Sequence, residues 1–252
     1  NIFPELGTSY AAPHVTGTVA LLQQNASSVN ETRPEVMKAV LLNSADKIKD
    51  IMGMERTVTK KNGTTDWFGT AAHVDPTIPL DIEMGAGHLN ANRAHTQFTA
   101  GEFSSGGVDI GWDYGFQDDP FIPYRYHLNL EEDDYVSATL VWNREVFLDS
   151  PFPDYQAGDE FIDFGFANLD LYLVPTGMGI EQAVASSTST DDNLEHIFAQ
   201  VPDAGNYELQ VWTSEMSQIF YAIAWWAGAD ERPAPGDHNS DGSVAASDYV
   251  ER

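Results

Sequence analysis

The feature that most constrains the fold is a change in hydrophobic period near Gly101. Before it, apolar residues recur every three to four positions, and after it they alternate with polar residues. Turn residues such as Asp203 and Gly205 separate the alternating runs. Several short alternating strands without intervening helices predict an antiparallel β-sandwich of jelly-roll type over residues 99–229. The runs lie at 126–130, 136–142, 169–173, 207–211 and 219–225.

The last of these runs is apolar at every position. Phe220, Ala222, Ala224 and Trp226 fall between the residues that continue the alternation. A strand that is apolar on both faces is covered on both faces. The sequence therefore predicts that one face of the sandwich packs against the preceding helical part.

The helical part is predicted to begin with two helices. The first covers about residues 10–24 and tolerates Pro13 in its first turn. The second has Thr32 as N-cap and Glu35 three residues later, which is the pattern of a capping box, and runs to about residue 45. Residues 47–83, rich in turn signals, are interpreted as a solvated surface insertion.

Residues 7–17 carry the one candidate nucleophile, and they read Gly-Thr-Ser-Tyr-Ala-Ala-Pro-His-Val-Thr-Gly. Ser9 lies among small residues where an apolar helical pattern begins. In the first turn of a helix, a serine hydroxyl lies in a positive field, and its N–H is placed to stabilise an oxyanion. His14 follows five residues later, about 140° around the helix, so it is interpreted as a packing residue rather than as a base.

This stretch resembles the serine motif of the subtilisin-like proteases, G-T-S-x-A-x-P-H-V-x-G. The α/β-hydrolase elbow G-x-S-x-G is the competing motif, but Ala11 stands where its second glycine belongs. Residues 85–90 with Ala94 resemble the segment that closes the catalytic domain in the same family. The resemblance thus covers residues 1–98 and implies the C-terminal piece of an α/β catalytic domain.

The resemblance implies that Ser9 is the acyl-forming nucleophile of a Ser-His-Asp triad. In that family the aspartate and histidine motifs precede the serine motif, so this chain is expected to be the C-terminal part of a secreted serine endopeptidase. Alone, it is expected to be inactive toward its protein or peptide substrates. The predicted sandwich is similar to the domains that follow such proteases, including the proprotein-convertase type.

The composition bounds the remaining functions. The chain has 12 basic and 39 acidic residues, a formal charge of −27, and no cysteine. Such a charge repels nucleic acids and anionic membranes, so binding to either is disfavoured. No apolar run reaches the length of a membrane span.

The C-terminal region carries a candidate calcium loop. Residues 230–236 are interpreted as a linker, and residues 237–248 place oxygen donors at loop positions 1, 3, 5 and 12, with Gly242 at the turn. The loop resembles the first calcium loop of dockerin modules, which implies a cohesin-like partner; the second dockerin loop is absent from this sequence, so the metal interpretation is the firmer one. The candidate Ca²⁺ ligands are Asp237, Asn239, Asp241, Ser243 (through its carbonyl) and Asp248. The acidic runs 131–134 and 159–160 are either further calcium sites or solvated loops.

Two alternatives stay open. In the first, the chain is a binding module for carbohydrate or a cell surface, in which exposed tryptophans stack on sugars, although the strand pattern places most of them in the core. The tryptophans concerned are Trp112, Trp142, Trp212, Trp225 and Trp226. In the second, the chain is a self-contained hydrolase that pairs Ser9 with His95 or His127.

Overall fold

The computed structural model describes residues 7–47, 59–60, 63–64, 67–103, 107–144, 146–149, 156–163, 167–216 and 218–229. The helices precede the long strands, as the change of period predicts. They are α1 (Thr8–Asn25), α2 (Pro34–Asn43), α3 (Ala71–Val74) and α4 (Ala91–Thr99), with 3₁₀ turns at Asn30–Thr32, Trp67–Gly69 and Ile180–Gln182. In the described ranges, no helix is long and apolar enough to cross a membrane.

Among the described residues, the strands form two four-stranded antiparallel sheets and two short two-stranded sheets. One sheet has the order β10-β5-β12-β3 and the other β4-β11-β8-β9, while β1 pairs with β2 and β6 with β7. The strands are β1 (Thr59–Lys60), β2 (Gly63–Thr64), β3 (Ile110–Gln117), β4 (Tyr124–Leu130), β5 (Tyr135–Trp142), β6 (Val146–Leu148), β7 (Phe161–Asp163), β8 (Leu169–Pro175), β9 (Ala185–Ser187), β10 (Leu194–Gln200), β11 (Gly205–Thr213) and β12 (Ile219–Gly228).

The predicted β-sandwich is confirmed. All five alternating runs are strands, namely β4, β5, β8, β11 and β12. Their alternate side chains meet between the two sheets, where Leu140, Leu209 and Ile223 are fully buried. Each buried aliphatic side chain of this size contributes about 1.5–3 kcal/mol. The strands that the sequence analysis did not predict include β3 and β10, both of which carry charged residues in their interior.

The second face of β12 packs against the helices, which confirms the prediction from its apolar pattern. Ala222 and Ala224 lie in one buried cluster with Val36 and Val40 of α2. That cluster also contains Trp112 of β3 and residues of α1 and α4. The helical part and the sandwich therefore share a continuous core. The α/β architecture implied by the family resemblance is not developed in the described part of residues 7–99, which holds helices and the antiparallel pair β1-β2.

The predicted capping box is wrong. The residue that precedes α2 is Arg33, and it makes no side-chain cap hydrogen bond. The hydroxyl of Thr32 instead donates to the carbonyl of Val29, 2.8 Å away. The Glu35 carboxylate accepts a hydrogen bond from the Asn143 amide. The Glu35 side chain therefore makes a tertiary contact instead of the local capping interaction that the sequence pattern predicted.

The interpretation of residues 47–83 as a solvated insertion is wrong at Lys47 and at Trp67. Trp67 is 1% exposed and packs with Phe198 and Trp226 of the sandwich. Lys47 is fully buried, and its ammonium group donates to the main-chain carbonyls of Asn43 and Ala45 at 3.2 and 2.9 Å. The Asn43 carbonyl ends α2, so the cation offsets the negative end of the helix dipole. The part around Asp75 is exposed, as predicted.

Candidate active site

Ser9 is the second residue of α1 and is exposed. The Gly7 carbonyl accepts hydrogen bonds from the N–H groups of Tyr10 and Ala11 at 3.0 and 3.3 Å. Within the described residues, the N–H of Ser9 has no acceptor, because the first N–H groups of a helix lack intrahelical partners and α1 has no side-chain cap. An exposed hydroxyl and an unused N–H thus lie together at the positive end of a helix.

Most of α1 projects from the rest of the structure. Thr18 and Leu22 are its buried residues, and Leu22 joins the cluster with α2 and α4. Tyr10, Val15 and Leu21 are 52%, 41% and 58% exposed. A helix with apolar residues on all sides is typical of a buried position. The exposed first half of α1 is therefore a surface suited to contact with further polypeptide.

His14 does not pack as the sequence analysis predicted. Its ring is exposed, and Nδ1 lies 2.7 Å from the Tyr10 carbonyl of the same helix. Pro13 falls within α1 rather than in its first turn, because the helix already begins at Thr8. Because proline has no backbone N–H, Pro13 cannot donate the i→i−4 hydrogen bond to the Ser9 carbonyl.

No described histidine or carboxylate forms a hydrogen bond with the Ser9 hydroxyl. His95 lies exposed on α4. His127 lies on β4, where its Nδ1 is 3.6 Å from Glu208 Oε1. The structure therefore does not pair Ser9 with either histidine that the self-contained alternative requires.

The predicted closing segment, residues 85–94, ties α2 to α4. Main-chain bonds join Asp46 and His88 in both directions, at 2.7 and 2.9 Å. The Asn90 side chain caps α4 by accepting from the N–H of Arg93, and its amide donates to Asp46 Oδ1 at 2.8 Å. Gly87 has φ 121°, and a Cβ there would lie 2.2 Å from the Asp46 carbonyl oxygen. Glycine is required at this point by both conformation and space.

A second group of buried polar residues lies on β10 and was missed by the sequence analysis. The Glu195 carboxylate is fully buried, where it accepts from the Ser187 hydroxyl and from the Ser189 N–H at 2.7 Å. Burial raises the pKa of Glu195 to about 9, against these two hydrogen bonds, which lower it. The sequence feature that could have indicated this group is the Glu195-His196 pair, which lies inside an otherwise apolar run.

His196 follows Glu195 and faces the helices. Its Nδ1 lies 2.7 Å from the Thr139 hydroxyl, and its ring meets that of Trp67 edge-on, with centroids 5.0 Å apart. Burial, and secondarily the charge of Lys47, holds the pKa of His196 well below its usual value. The imidazole is therefore neutral.

The candidate calcium ligands at residues 237–248 lie outside the described residues. The acidic run 131–134 forms the turn from β4 to β5, and the Asp134 carboxylate accepts from the Glu131 N–H at 2.9 Å. Asp133 has φ 70° in this turn. In the part of the chain that the structure describes, no group of three or more His, Asp or Glu side chains is arranged to hold a metal ion.

The tryptophans do not form a sugar platform. Trp112, Trp142 and Trp225 are 0–1% exposed and Trp226 is 6% exposed, so the core assignment from their strand pattern is confirmed. Trp212 is half-buried, and its Nε1 donates to Gln210 at 2.9 Å. The observation that the binding-module alternative required is absent from the described tryptophans.

Comparisons with known proteins identify one family match. Residues 4–71, which include Ser9, α1 and α2, match the model of the Subtilase family. This region is therefore similar in sequence to the subtilisin-like serine peptidases.

Among solved structures, the periplasmic inhibitor of g-type lysozyme from Aeromonas hydrophila is 12% identical, with a TM-score of 0.33 over 51% of this chain and 94% of that chain. The pre-peptidase C-terminal domain of collagenase from Bacillus anthracis is 11% identical, with a TM-score of 0.32 over 47% and 90%. A serine protease of Aeromonas sobria is 14% identical, with a TM-score of 0.24 over 88% of this chain and 44% of that chain. At these TM-scores the likenesses carry no functional argument.

Proposed function

We propose that this chain is the C-terminal part of a subtilisin-like serine endopeptidase in which Ser9 is the nucleophile. The observation that carries the proposal is the Subtilase match over residues 4–71, a range that includes Ser9 near the start of α1. The exposure of Ser9 and its unused N–H support the same role. Both features suit attack on a carbonyl carbon with charge developing on the carbonyl oxygen.

In the proposed mechanism, Ser9 Oγ attacks the carbonyl carbon of a peptide bond. A histidine takes the hydroxyl proton and later delivers it to the leaving amine, and an aspartate orients that histidine. The Ser9 N–H donates to the oxyanion, and an asparagine amide supplies the second donor. An acyl-enzyme on Ser9 then reacts with water to release the acid product.

We place the histidine, the aspartate and the asparagine in polypeptide that precedes Asn1. Two observations support this arrangement. Ser9 has no catalytic partner among the described residues, and the first half of α1 exposes apolar side chains of Tyr10 and Val15. Polypeptide that covers this helix would bring the missing groups to its N-terminus, so the chain alone is expected to be inactive.

The sandwich is proposed to be a jelly roll that stabilises the catalytic part. Its eight strands lie in two sheets, β10-β5-β12-β3 and β4-β11-β8-β9, an arrangement that supports the jelly-roll assignment. Its outer face shares a buried cluster with α2 and α4. The proposal extends to export from the cell, as the family resemblance implies.

A calcium loop at residues 237–248 is a separate part of the proposal. Its support is the chemistry of the donor set, since carboxylate, amide and carbonyl oxygens with a glycine at the sixth position suit Ca²⁺. Asp237, Asn239, Asp241, Ser243 and Asp248 would hold the ion. Binding to a cohesin-like protein would require a second calcium loop, so this part of the proposal has less support than the calcium site.

The experiment compares this chain with a longer protein, expressed from a gene segment that also encodes the polypeptide preceding Asn1. We expect the longer protein to hydrolyse casein and to be labelled on Ser9 by a fluorophosphonate, and the present chain to do neither. Proteolysis by the present chain that is lost in Ser9→Ala would contradict the placement of the partners. Full activity of the longer protein with Ser9→Ala would contradict the role of Ser9.

A further inference from the structure

Strand β3 lies at one edge of the sheet β10-β5-β12-β3, and two hydrogen bonds show which of its main-chain groups point outward. The N–H of Ala227, on β12, donates to the Asp109 carbonyl at 2.6 Å. The Phe103 N–H donates to the Trp112 carbonyl at 2.7 Å from the opposite side. Because main-chain groups alternate in direction along a strand, the even-numbered residues of β3 present their N–H and C=O groups to the outer edge.

The second half of this edge has no partner strand among the described residues. Residues 102–103 run beside Trp112 and cover the first half. Beyond them, no described residue forms a hydrogen bond with the N–H or carbonyl of Phe116 or with the carbonyl of Tyr114. The Tyr114 N–H lies close to the Asp113 carboxylate. Because Phe116 is exposed, its unpaired main-chain groups are accessible to a further strand.

The other edge strands of the two sheets are protected in ways that β3 is not. Strand β9 is three residues long, residues 194–199 of β10 are buried, and β4 carries the exposed Arg125 and His127. Short length, burial and charged side chains are the usual means of blocking an edge. Residues 114–117 of β3 read Tyr-Gly-Phe-Gln, with neither a charge nor a proline. Such an open edge is suited to pairing with another polypeptide.

Exposed aromatic rings lie beside the open edge. Phe116 and Phe220 are 45% and 51% exposed, and their ring centroids are 5.9 Å apart. The ring of Tyr114 lies 6.1 Å from that of Phe220 and nearly parallel to it, and the Arg33 guanidinium lies 4.0 Å from the Tyr114 centroid. Side chains on neighbouring strands of a sheet interact across this kind of distance. An added strand would therefore place apolar side chains against an existing apolar surface.

The charges next to the open edge are negative. Asp118 and Asp119 directly follow β3, and Glu215 lies in the loop before Ile219, which pairs with Gln117. Among the described residues, no lysine or arginine forms an ion pair with these three carboxylates. The chain as a whole has a formal charge of −27, which opposes the pairing of two copies. Charge complementarity therefore favours a partner that carries basic residues.

We propose that the outer edge of β3 binds an extended polypeptide segment with apolar and basic residues, which adds to the sheet as a further strand. Its main chain forms hydrogen bonds with Phe116, and its apolar side chains contact the rings of Phe116 and Phe220. Its lysine or arginine side chains lie near Asp118 and Asp119. Main-chain bonds provide affinity in this mode of recognition, and the side chains provide selectivity. The site does not involve Ser9, so it functions in the present chain whether or not Ser9 is catalytic.

The test measures peptide binding to the intact chain by calorimetry. The probe is acetyl-Lys-Val-Thr-Phe-Thr-Val-Lys-amide, which alternates apolar and polar residues and is basic at both ends. N-methylation of its Phe and of the next Thr removes one main-chain donor on each edge of the strand, and we expect at least about tenfold weaker binding. Glu in place of both Lys should weaken binding to a similar extent. Equal affinity of either modified peptide overturns the proposal, as does a parent chain that binds no peptide.

Three variants locate the site. Phe116→Ala removes the ring and keeps the outward N–H, whereas Phe116→Pro removes both; neither disturbs the bonds to β12, because this N–H points away from that strand. We expect Phe116→Pro to bind at least about tenfold more weakly than Phe116→Ala. Asn129→Pro makes the same type of change on β4, an edge strand of the other sheet, and should bind like the parent.

Two further measurements complete the test. Urea unfolding shows whether each variant is folded, and the N-methylated peptide decides the question on the parent chain if Phe116→Pro is not. Equal binding by folded Phe116→Ala and Phe116→Pro overturns the proposal. Sedimentation detects self-association: a dimer of the parent chain that Phe116→Pro dissociates would assign the edge to a second copy and also overturn it.

Discussion

The indole Nε1 of Trp226 donates to the main-chain carbonyl of Asn43, 3.0 Å away, although 183 residues separate them. Asn43 ends α2, and Trp226 lies on β12. The Asn43 side-chain oxygen also accepts from the Ser137 hydroxyl at 2.8 Å. One buried asparagine thus joins the helical part to the sandwich, and the two parts are expected to unfold as one cooperative unit.

Asn43→Ala should destabilise the chain by about 1–3 kcal/mol, because the Ser137 and Thr139 hydroxyls lose a buried acceptor. Urea unfolding followed by circular dichroism measures this loss. Asn92→Ala, on the exposed side of α4, is the matched control and should leave stability unchanged or slightly higher. Equal stability of the two variants would show that the Asn43 contacts contribute nothing net.

Glu195 should make the chain less stable as the pH rises. Its pKa is about 9 in the folded chain and near 4.5 when unfolded, so the folded state holds a proton that the unfolded state releases. Stability is complete below about pH 4.5 and is lost through pH 9. Glu195→Gln should lose less stability than the parent between pH 5 and pH 8.5, measured by urea unfolding. An unchanged slope in the variant would assign the pH dependence elsewhere.

His196 should act in the opposite direction. Its folded pKa lies well below the ordinary value of 6.5, so acidification protonates the unfolded chain first. Stability is complete above about pH 6.5 and falls as the pH drops below it. The NMR signals of His196 should not titrate between pH 7 and pH 5.5. A normal titration of His196 would contradict its burial beside Trp67.

Ser9→Ala should separate activity from stability. In the longer protein we expect peptidase activity to fall by at least about 10³-fold, because no other group forms the acyl-enzyme. In the present chain the unfolding free energy should change by less than about 0.5 kcal/mol, since Ser9 is exposed. A large loss of stability would point to a structural role for the hydroxyl instead.

Calcium should bind the C-terminal loop. Calorimetry of the chain should show Ca²⁺ binding that Asp241→Ala removes, because the loop loses the carboxylate at its fifth position. Asp191→Ala, an exposed acidic residue in the sandwich, serves as the control and should retain binding. Retention of the full heat by Asp241→Ala would exclude residues 237–248 as the site.

The local hydrophobic pattern was sufficient to predict strands whose buried side chains are all apolar. The alternation of Leu169, Leu171 and Leu173 predicted β8, because a half-buried strand needs that period whatever it packs against. It was insufficient for β10, where Glu195 and His196 interrupt the apolar run. Their hydrogen-bond partners are Ser187 of β9, Ser189 of the loop that follows it, and Thr139 of β5.

The sequence by itself determined the change from helices to strands, the apolar second face of β12 and the position of Ser9 at a helix start. These are properties of a residue and its near neighbours, so spacing and residue type decide them. Only the tertiary structure decided that Glu35 bonds Asn143 rather than its own helix, that Trp67 is buried, and that His196 is buried beside Trp67. Each of these depends on which distant side chains arrive at the same place, because burial and hydrogen-bond partners are set by packing across the chain.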